Sequence, residues 1–208
     1  DGKLYAPGDS VPADVTTLTV QWTAPTYAVT LNTGGGTINS GNVTEYTYGV
    51  GATLPTDVTR TGYTFKGWYD NEGLTGNPVT AIGGAETGNK EYWAKWEANT
   101  YTVTLNTNGG TINSGNVTGY TYGVGATLPT ADDMTYTGYT FKGWYDNEGL
   151  TGFPVTAISD TETGNKEYWA KWEANAYTVT LNTNGGTINN GNVTEYTYGV
   201  GATLPTDV

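Results

Sequence analysis

The 208-residue chain has no cysteine and no histidine, and a single methionine. Without cysteine there is neither a disulfide nor a thiolate nucleophile, and without histidine there is no imidazole base and no ordinary zinc site. No metal site, cofactor site or catalytic group is assigned. Basic residues are scarce: 8 Lys and Arg stand against 20 Asp and Glu, for a formal charge of −12. So acidic a surface repels phosphate backbones, which argues against a nucleic-acid partner. No apolar run approaches the roughly 20 residues of a spanning helix, so no membrane insertion is expected of this segment. Leu, Ile, Val and Phe are also thin, at about 16% of the chain, below the roughly 20% at which disorder is suspected.

What is present restores a folded reading. Aromatic residues make up 13% of the chain, with 17 Tyr and 7 Trp, and each ring buries a large apolar area. About a fifth of the chain is Thr and 31 residues are Gly, a mixture suited to pleated strands joined by glycine turns.

The chain repeats itself. Residues 27–100 form one copy and residues 101–176 a second, with a two-residue insertion at Ala131 and Asp132; 64 of 74 aligned positions are identical. A third copy begins at Tyr177 and runs to Val208. The opening residues 1–26 resemble the end of a diverged unit, because Leu18-Thr19-Val20-Gln21-Trp22 occupies the place of Tyr92-Trp93-Ala94-Lys95-Trp96. The expected layout is therefore the C-terminal part of a preceding repeat (1–26), two full repeats (27–100 and 101–176), and the N-terminal part of a further one (177–208). On this reading the chain is a window on a longer repetitive protein.

Each copy reads as short strands. Tyr101, Val103 and Leu105 alternate with Thr102 and Thr104, the period of a half-buried strand. Asn108-Gly109-Gly110 supplies a tight turn, and a hairpin to a second strand at Val117–Tyr122 is expected. Tyr139–Tyr145 is a third extended segment, ended by the turn Asp146-Asn147-Glu148-Gly149, and Glu167–Trp172 is the closing strand. Helical periodicity is absent, and only Leu128–Tyr139 or Leu150–Ile158 has room for a short helix.

The order Val-Thr-Leu-Asn-Thr-Asn-Gly-Gly, then Gly-Tyr-Thr-Phe-Lys-Gly-Trp-Tyr, then Tyr-Trp-Ala-Lys-Trp resembles the Listeria–Bacteroides repeat, or internalin B-repeat, family. The resemblance covers both full copies and the partial one from Tyr177. It implies a β-rich α+β architecture: tandem, small β-grasp-like modules, each a mixed sheet with at most one short helix, arranged as an elongated rod. It also implies no catalysis, and an extracellular place on a bacterial cell surface.

Several features invite a site. Six tryptophans recur in equivalent pairs, Trp68/Trp144, Trp93/Trp169 and Trp96/Trp172; a core role accounts for most of them in so aliphatic-poor a unit. Trp93 and Trp96 fall on opposite faces of one strand, and Trp93 and Trp169 are the aromatics chosen as ligand-facing. Asp70–Gly73 and Asp146–Gly149 lack the alternating oxygen ligands of a calcium loop and read as turns. Asn42, Asn116 and Asn192 begin Asn-Val-Thr triplets of the glycosylation type, and Lys66, Lys90 and Lys95 are better placed for surface ion pairs than for isopeptide bonds. The carboxylates recur in both copies, which does not suit a single hydrolytic centre. Three functions stay open: a stalk or fibre shaft whose partners are its own neighbouring repeats, an adhesin binding a host or cell-surface glycan or protein by avidity, and a filament subunit joined end to end to other copies through incomplete repeats.

Overall fold

The computed structural model describes residues 3–208. Alternation of threonine with aromatic and aliphatic residues produces strands from Thr26 onward. In the second repeat, strands Gly119–Thr121, Thr100–Asn106, Lys166–Ala174 and Tyr139–Tyr145 lie side by side in that order. The central pair is parallel, with Lys166 opposite Val103 and Trp169 opposite Asn106; the flanking pairs are antiparallel. The first repeat has a four-stranded sheet of the same order. The sheets are thus mixed, with the expected closing strand and third strand in place.

The expected tight hairpin is corrected in detail. The turn at Asn108-Gly109 does form, with positive φ at both residues. The chain then leaves the sheet: Thr111–Ile112 pairs with Met134–Thr135 instead. Only afterwards does Gly119–Thr121 return beside Thr100–Thr102. A second excursion, Ala126–Thr127, pairs with Ala157–Ile158. These two-residue ladders cover the inner face of the sheet where a helix was expected. Among the described residues the helical structure is one 3-10 turn at Ala131–Asp133, inside the stretch with room for it and at the two-residue insertion. Glycines at positive φ and a proline, Gly123, Gly125 and Pro129, break the preceding segment and leave no run long enough for an α-helix.

The core of the second repeat gathers Val103, Tyr120, Leu128, Met134, Trp144, Ile158, Tyr168 and Ala170. Trp144 is its largest member and is 1% exposed. Its indole N–H donates to the Pro129 carbonyl at 2.8 Å, and Trp68 repeats this bond to Pro55, so neither buried indole carries an unpaired donor. The Tyr120 hydroxyl likewise donates to Gly164 at 2.6 Å. Trp96 and Trp172 are half-buried, each packed on a phenylalanine ring, Phe65 or Phe141, at 5.3 Å.

Two compact units divide the chain, and the division does not follow the repeats. One takes residues up to Gly34, Ile38–Val58 and Gly67–Lys95; the other takes Gly35–Thr37, Thr59–Lys66 and Trp96–Val208. Residues 3–25 contain no strand, and Trp22 is exposed. In the third copy Ala176–Thr178 pairs with Glu195–Thr197, and Tyr196 is 38% exposed where Tyr120 is 4%, because no parallel strand lies beside this hairpin.

Candidate functional site

Alternation along the closing strand decides which tryptophans face outward. In Lys166–Ala174 the inner face takes Tyr168 and Ala170, both buried, and the outer face takes Glu167, Trp169 and Lys171. Trp169 stands between Asn106 on the parallel neighbour and Tyr145 on the antiparallel one. The Lys171 ammonium lies over the Tyr145 ring at 5.1 Å, and Lys95 lies over Tyr69 at 4.9 Å in the first repeat. Trp93 occupies the same position there, opposite Asn32.

Each of these outward tryptophans borders a groove. In the first repeat the groove measures about 450 Å³, with Val79, Ala81, Ile82 and Tyr92 contributing apolar surface and Asp70, Glu86, Asn89 and Glu91 polar surface around Trp93. In the second it measures about 490 Å³, with Val155, Ala157, Ile158 and Tyr168 matched by Asp146, Glu162, Asn165 and Glu167 around Trp169. Glu91 accepts from the Asn32 amide at 2.8 Å, and Glu167 from Asn106 at 2.8 Å. Lys90 donates to Glu86, and Lys166 to Glu162; these bonds raise both lysine pKa values, with burial opposing. Burial raises the Tyr92 and Tyr168 hydroxyls.

Strand alternation separates Trp93 from Trp96 and Trp169 from Trp172 without saying which faces outward; in the structure Trp93 and Trp169 each line a groove. The acidic turns and the lysines are taken up by structure. Asn71 and Asn147 use their side chains to close the Asp70 and Asp146 turns, accepting from the Thr75 and Thr151 amides. The lysines form surface pairs, Lys66 with Glu97 and Lys142 with Glu173. Among the described residues no three carboxylates gather closely enough to hold a metal ion, and no helix is long and apolar enough to cross a membrane.

Sequence reasoning missed a second arrangement, inside the unit that contains the whole second repeat. The linker residue Asn99 donates its backbone N–H to the Gly62 carbonyl at 2.9 Å and accepts at its own carbonyl from Tyr122 at 2.9 Å. Its side chain accepts from Thr64 at 2.6 Å. The Tyr122 ring meets Tyr63 edge-on at 5.4 Å and covers Gly62, where a Cβ would come within 2.3 Å of ring carbons. The whole set recurs at the next linker. Asn175 bonds Gly138, Tyr198 and Thr140 at 2.9, 2.9 and 2.6 Å, and Tyr139 meets Tyr198 at 5.5 Å. The recurrence of Gly-Tyr-Thr, Asn and Tyr at fixed spacing was visible, but nothing in a sequence says that they touch.

Residues 27–95 and 101–171 match the model of the Listeria-Bacteroides repeat domain, two tandem copies covering well over half of the chain. The chain belongs to this repeat family. Among relatives of the repeat chain, a protein of Evansella cellulosilytica bearing the name "Putative Gly-rich membrane protein" is 36% identical over 187 residues. That alignment takes in 89% of this chain and 21% of the relative. A second protein of the same organism, "Putative membrane protein", is 36% identical over 179 residues, 82% of this chain and 24% of its own length. The repeat chain thus spans about a fifth to a quarter of the curated relatives it matches. No solved structure matches it. The family is not an enzyme family and neither relative carries an enzymatic name; the chain is a tandem-repeat segment of the bacterial surface type.

Proposed function

We propose that this segment is a non-enzymatic, extracellular spacer, the stalk or fibre shaft of a bacterial surface protein, built from β-grasp-like modules in an elongated array. The observation that carries the reading is the recurring junction at Asn99 and Asn175. Strands Lys90–Ala98 and Thr100–Asn106 are joined through Asn99 alone, and a connector so short limits rotation between modules. Here the connector's asparagine is bonded on both sides, and a tyrosine of the following copy is seated on a glycine of the preceding one. A device of this kind, copied at successive linkers, turns a string of modules into a semi-rigid shaft. In such arrays stability is approximately the sum of module and interface contributions, so length can vary without loss of folding. The net charge of −12 keeps the array soluble and apart from its own copies.

Small-angle X-ray scattering with light scattering tests this on the 208-residue chain. A monomer with a rod-like profile is expected, and Asn99→Ala and Tyr122→Ala with Asn175→Ala and Tyr198→Ala, which remove the side-chain bond and the seated ring at each junction, should loosen it toward the profile of jointed modules. A jointed profile in the unaltered chain would overturn the shaft reading, and end-to-end growth with concentration would favour a filament subunit. Adhesion is a second reading, favoured by the copying of the Trp93 groove at Trp169: many equal weak sites on one array add up to firm attachment.

A further inference from the structure

We propose that the grooves at Trp93 and Trp169 bind an amine-bearing saccharide, a chain of amino sugars with free amino groups. The inference rests on the adhesive reading and assigns it a site and a ligand chemistry. The tryptophans themselves provide the first observation. The indole N–H of Trp68, Trp144 and Trp172 donates to a backbone carbonyl at 2.8, 2.8 and 2.7 Å. The N–H groups of Trp93 and Trp169 bond no protein group among the described residues, although each residue lines a groove. Each groove therefore has in its wall a half-buried tryptophan whose indole N–H the protein leaves unbonded, in both repeats.

The remaining hydrogen-bonding capacity selects the ligand. Glu91 spends one carboxylate oxygen on Asn32 and Asp70 one on Asn71, leaving the second oxygen of each to a ligand. Asn89 accepts from the Ala28 N–H through its side-chain oxygen, which leaves its amide donors free. Acceptors and donors around an aromatic face match a sugar ring, whose apolar face stacks while its hydroxyls both give and take hydrogen bonds. A lysine side chain offers only donors. The sign of the charge narrows the class further. Each groove holds three carboxylates, Asp70, Glu86 and Glu91 or Asp146, Glu162 and Glu167, against one lysine already paired to a glutamate. Such a field repels uronates, sulfates and phosphates and attracts an ammonium group, which the indole face also favours. Volumes of about 450 and 490 Å³ lie within the range of small-ligand sites, and a polymer with a regular repeat suits a protein whose sites repeat.

Titration calorimetry on the intact 208-residue chain tests the assignment, with oligomers of glucosamine, N-acetylglucosamine and galacturonate and with oligolysine as probes. Glucosamine oligomers should bind in preference to the other three, and Trp93→Ala with Trp169→Ala should weaken binding about tenfold while leaving the circular dichroism spectrum unchanged. Asp70→Asn with Asp146→Asn should remove the preference for the free amine but retain weak binding. Equal binding of the acetylated oligomers would overturn the amine assignment and leave the adhesive reading standing. Oligolysine binding as tightly as glucosamine would reduce the site to a charge effect and overturn the saccharide. Undiminished binding by the tryptophan variant would overturn the groove. Binding of no saccharide would sink both this inference and glycan adhesion at these grooves, without touching the spacer reading.

Discussion

At the scale of single residues, two carboxylates and two tryptophans show how position sets the role of a side chain. Asp133 accepts hydrogen bonds from the Ser114 hydroxyl and from the Thr130 N–H and hydroxyl, and these hold its carboxyl below the ordinary range. Asp57 is lowered by the Asn39 amide and the Ser40 hydroxyl. A carboxyl whose folded-state pKa is depressed contributes stability above its unfolded value, near 4, and the contribution is lost as pH falls through the folded value. Asp57→Asn with Asp133→Asn should therefore lower the melting temperature at pH 7, with the gap to the unaltered chain closing below about pH 4; melts recorded by circular dichroism from pH 2 to 7 check this. The tryptophans divide by the face they occupy. Trp144→Ala should cost about 3–5 kcal/mol, as for a large buried aromatic, whereas Trp169→Ala should cost about 1 kcal/mol, measured by urea unfolding. Alternation in Tyr-Trp-Ala-Lys-Trp made the opposite placing of Trp93 and Trp96 legible, but not which of the two faces outward. The role of Asp133 was not, because its partners lie 3 and 19 residues away on a loop without periodicity.

Among elements, the long strands were legible and the short ladders were not. Tyr139–Tyr145 and the closing strand carry enough alternation to identify themselves, whereas Thr111–Ile112 is two residues long and has no period to read. The parallel pairing of Lys166–Trp169 with Val103–Asn106 joins residues more than 60 positions apart, a relation no local pattern encodes. Junction chemistry has the same non-local character and yields a sharp prediction. Gly138 has φ +80° and faces the Tyr198 ring; Gly152 has φ +85° with nothing within 4 Å of a Cβ. Alanine at either position carries the strain of the left-handed region, about 1–2 kcal/mol. Only Gly138→Ala adds a steric conflict with Tyr198. That variant should be the less stable of the two, and amide exchange at Asn175 and Tyr198 should speed up in it while Trp144 stays protected. Equal exchange at those two amides in both variants would show that the ring is not held by its seat on Gly138.

For the whole molecule, near-identical sequences coupled through near-identical junctions make a statement about cooperativity. Two modules that touch only through a slack tether unfold independently, and the van't Hoff enthalpy of the chain then reports one module while calorimetry reports both. A junction that bonds Asn99 to Gly62, Thr64 and Tyr122 ties the Thr59–Lys66 segment of the first repeat to the second, so the two should melt as a coupled pair. The charge balance adds no competing explanation, because the four lysine–glutamate pairs all have partly exposed partners and such pairs contribute little each. Scanning calorimetry on the chain should give a ratio of van't Hoff to calorimetric enthalpy near unity, falling toward about half when Asn99→Ala is combined with Tyr122→Ala, which removes the Thr64 bond and the ring seated on Gly62, with the main melting temperature changed by only a few degrees. An unchanged ratio would mean that coupling resides elsewhere in the array. In that case the asparagine clamp would align modules without joining their stabilities, and the stiffness required of a shaft would have to come from the shortness of the connector alone.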